Sequence, residues 1–180
     1  MEFLDVIKTR TSVREYSEKQ VEDEKITYIL ECARLAPSWA NRQCWRFIII
    51  QDKEMIEHIG KSSVFNHWLK TAPTLLVACA DPIDSGSNNS HEYYMTDVGI
   101  AFDHLILAAT DVGLGTCWVA DFHEEKLKEL LEIPKRIRIV ALSPLGYPSE
   151  KKGITEQITK SLLKAHKRKT IEEIVHYEHW

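Results

Sequence analysis

Residues 93–115 read YYMTDVGIAFDHLILAATDVGLG, and no other stretch constrains the fold as much. Helical spacing puts Val98, Ala101, Phe102, Leu105, Ile106 and Ala109 on one face, and Gly113 and Gly115 end the helix. Ile100, Leu107 and Ala108 make much of the remaining surface apolar as well. A helix that is apolar nearly all round is buried nearly all round. In a chain of 180 residues with 44% hydrophobic content, which suits one compact domain, that helix belongs at the centre of the core or against a second subunit.

The other elements surround it. FLDVI carries Phe3, Val6 and Ile7 at helical spacing, and residues 21–36 place Ile26, Ile29, Leu30 and Ala33 on one stripe behind an acidic start. WRFIII and TLLVACA read as buried strands, with a short helix between them that Gly60 would cap. TCWVA and RIRIVALSPLG read as further strands, separated by the amphipathic HEEKLKELLEI that Pro134 closes. DPIDSGSNNS is rich in turn formers and serves as a connector, with a lid as the alternative. A polar segment from residue 147 onward ends in a tail with helical character near TIEEIVHYEHW. Strands interspersed with helices indicate an α/β or α+β sandwich.

Charge and composition narrow the function. A net charge of -4 argues against a nucleic-acid partner. No apolar run approaches the roughly 20 residues that span a bilayer. MEFLDVIKTR lacks the order of a secretory signal, so a cytoplasmic protein is expected. Cys32, Cys44, Cys79 and Cys117 are scattered and read as reduced thiols, not disulfides or zinc ligands. His176 and His179 could share a helix face, but no metal site is assigned to them. No phosphate loop and no nucleophile elbow are present, and GLGTCW lacks the third glycine of a dinucleotide fingerprint.

Residues 10–14, RTSVR, are the candidate ligand motif. In an extended chain Arg10, Ser12 and Arg14 project to one side, and the β-branched Thr11 and Val13 favour that conformation. Two guanidinium forks beside a hydroxyl suit a phosphate monoester. A solvated edge without a ligand is the alternative.

Taken in order, RTSVR, APSWANRQCWRF, DVGIAFDHLILAATDVGLGTCWVADF, IPKRIRIVALSPLGYP and RKTIEEIVHYEHW resemble the nitroreductase family of flavin enzymes essentially end to end. The resemblance implies a single FMN-binding domain over residues 1–180. Its fold would be α+β: an α/β/α sandwich whose central, mostly antiparallel sheet is flanked by helices. It implies an intertwined homodimer with FMN at the interface, and a tail from about residue 150 wrapping the domain or its partner. In it, Arg10, Thr11 and Ser12 would hold the phosphate and ribityl chain, and Arg14 would lie near the ring's pyrimidine edge. Pro37, Ser38 and Trp39 would come from the partner and wall the ring, with Asn41 and Gln43 bonding ribityl or ring oxygens. Ala120 and Asp121 match the turn whose backbone N–H faces flavin N5, Asn66 lies near the ring, and Arg168 closes on the phosphate. No side chain is implied as the catalytic group; the flavin carries the chemistry.

The implied activity is an NAD(P)H-dependent oxidoreductase. NADH or NADPH gives a hydride, and a flat small-molecule acceptor such as a nitroaromatic or quinone then takes electrons at the same site. The chain departs from the family pattern at Cys44, where a proline usually stands, and at His166, where a basic residue is common. Alternatives are a flavoenzyme of the same fold performing reductive dehalogenation or flavin breakdown, a non-catalytic flavin-binding redox sensor to which Cys44 would be relevant, and a plain structural dimer.

Overall fold

A computed structural model describes residues 1–61, 63, 65–150 and 168–180, which fall into two units, residues 1–150 and 151–180. The first unit opens with α1 (Phe3–Thr9) and α2 (Asp23–Arg34). Asp23 and Glu24 sit in the first turn of α2 and Arg34 in its last, matching the helix dipole, while Ile26, Ile29 and Ala33 are buried. Next come β1 (Trp45–Ile50), α3 (Lys53–Lys61), a 3-10 turn (His67–Thr71) and β2 (Thr74–Ala80). A tiny hairpin, β3 (Ser87–Asn88) and β4 (His91–Glu92), precedes α4 (Tyr94–Asp111). β5 (Gly115–Thr116), α5 (Glu124–Leu130) and β6 (Arg138–Gly146) complete the unit.

The main sheet runs β1-β2-β6-β5 and every pairing in it is antiparallel. β2 is buried along its whole length, and its alternation feeds two cores. Leu76, Ala78 and Ala80 face α2 and α4, where Phe102, Leu105 and Ile29 are fully buried. Leu75, Val77 and Cys79 face the layer of α3 and α5, against Ile56, Leu69 and Leu127. The α+β sandwich with a helical layer on each face is therefore as expected. The β2–β6 register shifts between Ala78 and Cys79, which leaves Val140 as a bulge. Ile139 therefore packs with one core and Ala141 with the other.

α4 occupies the centre of its layer, and Val98, Ala101, Phe102, Leu105 and Ala109 are fully buried. It ends in a paired cap: Gly113 at φ 79 donates to the Thr110 carbonyl at 3.1 Å, and Leu114 to that of Ala109 at 2.8 Å. One strip of α4 stays uncovered. His104, Leu107 and Ala108, with Phe3, Tyr28 and Cys32, line an open groove of about 340 Å³. Phe3, Leu4, Ile7 and Tyr28 are exposed beside it.

Several local expectations need correction. β1 is an edge strand, so its middle residues are only half-buried. Gly60 is not a cap, because α3 continues to Lys61. A Cβ at Gly60 would stand 3.0 Å from the Asn66 carbonyl oxygen, so close backbone approach explains the glycine. TCWVA forms only β5 and a single bridge from Val119 to Leu142, because the Cys117 N–H leaves the ladder to bond Ser143 Oγ at 3.2 Å. α5 ends before Pro134 is reached, at Glu132 with φ 54, where Ile133 N–H donates to the Lys128 carbonyl at 2.9 Å. In the second unit, residues 168–180 form one turn around Thr170 and Val175, not a helix, and all are exposed. A segment of that length without a packed face is a poor helix. His166 lies outside the described residues. Among the described residues no helix is long and apolar enough to cross a membrane.

Candidate functional site

The chain leaves α1 at Arg10, whose N–H closes the helix on the Val6 carbonyl at 2.9 Å, and runs extended. Ser12 bridges Thr116 in parallel, and Val13 N–H donates to the Thr116 carbonyl at 2.8 Å. Val13 is buried, while Arg10, Ser12 and Arg14 are half-buried and Thr11 is exposed. This is the alternation that the extended reading of RTSVR required. The approach of the two segments depends on Gly115, where a Cβ would meet Val13 Cγ2 at 2.8 Å.

Behind these residues lies Cys117. Burial pushes its thiol above the usual range, and Arg14, Ser12 and Arg10 each pull it back. All three side chains therefore converge on one neighbourhood. The Arg14 guanidinium lies 6.0 Å from the centre of the Trp68 ring, and Trp68 packs with Val13, Tyr16 and Ala72. Among the described residues neither Arg10 nor Arg14 forms an ion pair. Two half-buried cations beside a hydroxyl, left without carboxylates in a chain of net charge -4, make an anion cradle.

Asn66 and Asp121, taken separately from the sequence, are brought together. The buried Asn66 amide donates to the Asp121 carbonyl at 2.5 Å, and Ser63 Oγ bonds the Asp121 carboxylate. Ala120 is exposed beside them. Asn66 heads the 3-10 turn that carries Trp68, so this pair ties the turn to the segment following Cys117.

Residues 37–43 are held elsewhere. Pro37, Trp39, Asn41 and Gln43 are exposed and Ser38 is half-buried. Ser38 Oγ accepts the Gln43 N–H at 2.9 Å, and the Gln43 amide donates to Asn41 Oδ1 at 3.1 Å. The backbone is left-handed at Ala40, Asn41 and Gln43, with φ of 47, 55 and 52. Trp39 stacks on Tyr93 at 6.3 Å, and its ring lies on Gly86, where a Cβ would stand 2.5 Å from it. The loop is fastened to α4 through Asp97, which accepts the Trp39 N–H at 2.8 Å. Sequence reasoning passed over Asp97, although it stands in register with Ala101, Leu105 and Ala109, a carboxylate on a core stripe. Trp68 and Ser143 also carried no local signal. Arg168 belongs to the second unit.

All four cysteines are free. Burial, then the nearby Asp97, pushes the Cys44 thiol up to about 11, and burial pushes Cys79 up to about 12. Neither is a thiolate nucleophile at neutral pH.

A family model described as the Nitroreductase family matches residues 7–64 and 58–147. An Archaeoglobus fulgidus protein with the provisional name NADH dehydrogenase/NAD(P)H nitroreductase is 37% identical, over 86% of this chain and 90% of its own. A Bacillus subtilis protein named FMN reductase [NAD(P)H] is 30% identical, over 82% of this chain and 67% of its own. An iodotyrosine deiodinase of Thermotoga neapolitana is 28% identical, over 82% and 89%. The crystal structure of a nitroreductase family protein from Clostridium novyi NT has a TM-score of 0.80 at 38% identity, covering 85% of this chain and 89% of that one.

Proposed function

The chain belongs to the nitroreductase family and is an NAD(P)H-dependent oxidoreductase, and from that premise we propose that it binds FMN and reduces a flat acceptor such as a nitroaromatic or a quinone. The observation that carries the cofactor assignment is the pair Arg10 and Arg14, half-buried beside Ser12 and without ion-pair partners among the described residues. A phosphate monoester supplies the charge this cradle lacks. Arg10, Thr11 and Ser12 would take the phosphate and the start of the ribityl chain. Arg14, held flat by Trp68, would lie toward the ring and favour electron density there. Asn66 and the backbone at Ala120 and Asp121 would bound the ring edge, and Arg168 would close on the phosphate from the tail. When bound, FMN supplies hydride acceptance from NADH or NADPH and electron delivery to the acceptor.

The homodimer is part of the same reading. The open groove along His104, Leu107 and Ala108, rimmed by Phe3 and Tyr28, supports α4 as the interface helix. Residues 37–43, turned away from the cradle of their own chain, would then wall the partner's ring. Residues 1–180 would act as one functional domain, with the tail wrapping it or its partner. Four free cysteines accord with a reducing, cytoplasmic setting.

The relative named iodotyrosine deiodinase favours one second reading, reductive dehalogenation on the same cofactor. The short two-residue strands of the 81–93 connector offer little grip for a halophenol, which supports the quinone or nitroaromatic class instead. A redox-sensor role loses its main argument, because a thiol raised to about 11 is not poised to react. Purified protein mixed with FMN should acquire the flavin's visible band, bleach with NADH or NADPH under anaerobic conditions, and regain colour with a quinone. Protein that takes up no flavin overturns the proposal. Turnover of halogenated phenols in preference to quinones installs the second reading.

A further inference from the structure

Asp97 lies in the first turn of α4 and is only 3% exposed. Its neighbours along the stripe, Ala101, Leu105 and Ala109, are core residues, so an apolar side chain would pack there at lower cost. The carboxylate instead collects donors from three separate segments. Oδ1 accepts the Trp39 N–H at 2.8 Å, and Oδ2 accepts Ser85 O–H at 2.9 Å and Cys44 S–H at 3.7 Å. None of the three is a cation. The positive end of an 18-residue helix and three hydrogen bonds are what stabilise the buried charge. Cys44 remains protonated at neutral pH and so remains a donor.

The segments that Asp97 collects are those around the proposed ring wall. Trp39 opens the short turn Trp39–Asn41, whose left-handed residues at 40, 41 and 43 would relax if released. Ser85 precedes Gly86, the residue on which the Trp39 ring lies. The remaining ties of the loop are at its surface: the Ser38–Gln43 bond, the Tyr93 stack, and an Arg42 guanidinium bonded to the Ile83 carbonyl at 2.8 Å. Asp97 alone anchors the loop's backbone to a buried helix.

We propose that Asp97 is a positioning residue for the flavin: it holds residues 38–43 in the shape that walls the ring, and it does so from the helix proposed as the dimer interface. The inference rests on the FMN reading given above. It assigns Asp97 no contact with substrate or cofactor.

The test compares wild type with Asp97→Ala, Asp97→Asn and Ser85→Ala, using hydrogen exchange at the Trp39 amide in the apo protein and FMN affinity from quenching of flavin fluorescence. In Asp97→Ala, Trp39 exchange should accelerate and FMN binding weaken, each on the order of tenfold, while the protein still melts cooperatively. Asp97→Asn keeps a carbonyl oxygen for the Trp39 N–H and should recover most of both losses. At saturating FMN, Asp97→Ala should raise the acceptor KM with little change in kcat, a split that general destabilisation would not produce. If Asp97→Ala does not fold, Asp97→Asn and Ser85→Ala carry the comparison, with Ser85→Ala the weaker binder. Unchanged Trp39 exchange with unchanged FMN affinity overturns the proposal. A wild type that binds no FMN overturns the functional reading instead, and exchange at Trp39 in the apo variants still decides whether Asp97 holds the loop.

Discussion

Arg10 and Glu132 illustrate how much can hang on one side chain. Replacing Arg10 by alanine removes a cation that no carboxylate among the described residues balances, so folding should survive while FMN affinity falls by about one to two orders of magnitude in a fluorescence titration. A plain structural dimer would show no such loss. Glu132 holds φ 54 at the end of α5, a conformation that glycine adopts without steric cost. Glu132→Gly should therefore stabilise the protein by about 1 kcal/mol in urea unfolding, against the usual direction of glycine substitutions. Glu124 sets a pH dependence. Burial pushes its carboxyl up, but the Arg138 guanidinium, the Ile139 N–H and Lys128 outweigh this and hold it at about 2. Its folded value lies below its unfolded one, so its contribution is complete above about pH 5 and is lost as pH falls toward 2, on the order of 2 kcal/mol. Glu124→Gln should flatten the acid limb of a Tm-against-pH curve.

Among the elements, those with strong internal periodicity were legible: α2, α4, β2 and β6 all lie where their patterns put them. Their patterns are set by the core they face, and a period survives in the sequence. What was not legible depends on contacts distant in sequence. Gly60 resembles a cap, and only the Asn66 carbonyl beside it reveals a close approach. Cys117 looks like strand, and only Ser143 shows where its N–H goes. The cradle was half legible. RTSVR announced an alternating cation–hydroxyl–cation face, but nothing in it pointed to Trp68. Asp97 could have been found from its register on α4, since a carboxylate among core positions needs an explanation. Gly115 carries a prediction at this level. Gly115→Ala forces Val13 away from β5 and should open the cradle, costing about 1–3 kcal/mol in stability and weakening FMN binding although both arginines remain. Unchanged FMN affinity in a folded Gly115→Ala protein would mean that the cradle does not depend on this approach.

For the molecule as a whole, the buried helix posed two possibilities, core or subunit contact, and the structure divides α4 between them. Most of its surface is core, and the strip at His104, Leu107 and Ala108 opens to the groove. Leu107→Glu places a charge in that strip and should convert the dimer into a folded monomer in sedimentation, with FMN affinity lost along with it. A dimer that survives this change locates the interface elsewhere. The bulge at Val140 has a bearing on the same architecture. It turns one strand through half a period midway, so its outer half serves the α5 layer in one phase while its inner half serves the α4 layer in the other. Deleting that single residue would leave no register that suits both ends, and a shortened chain would have to expose either Ile139 or Ala141 and Leu145 to water.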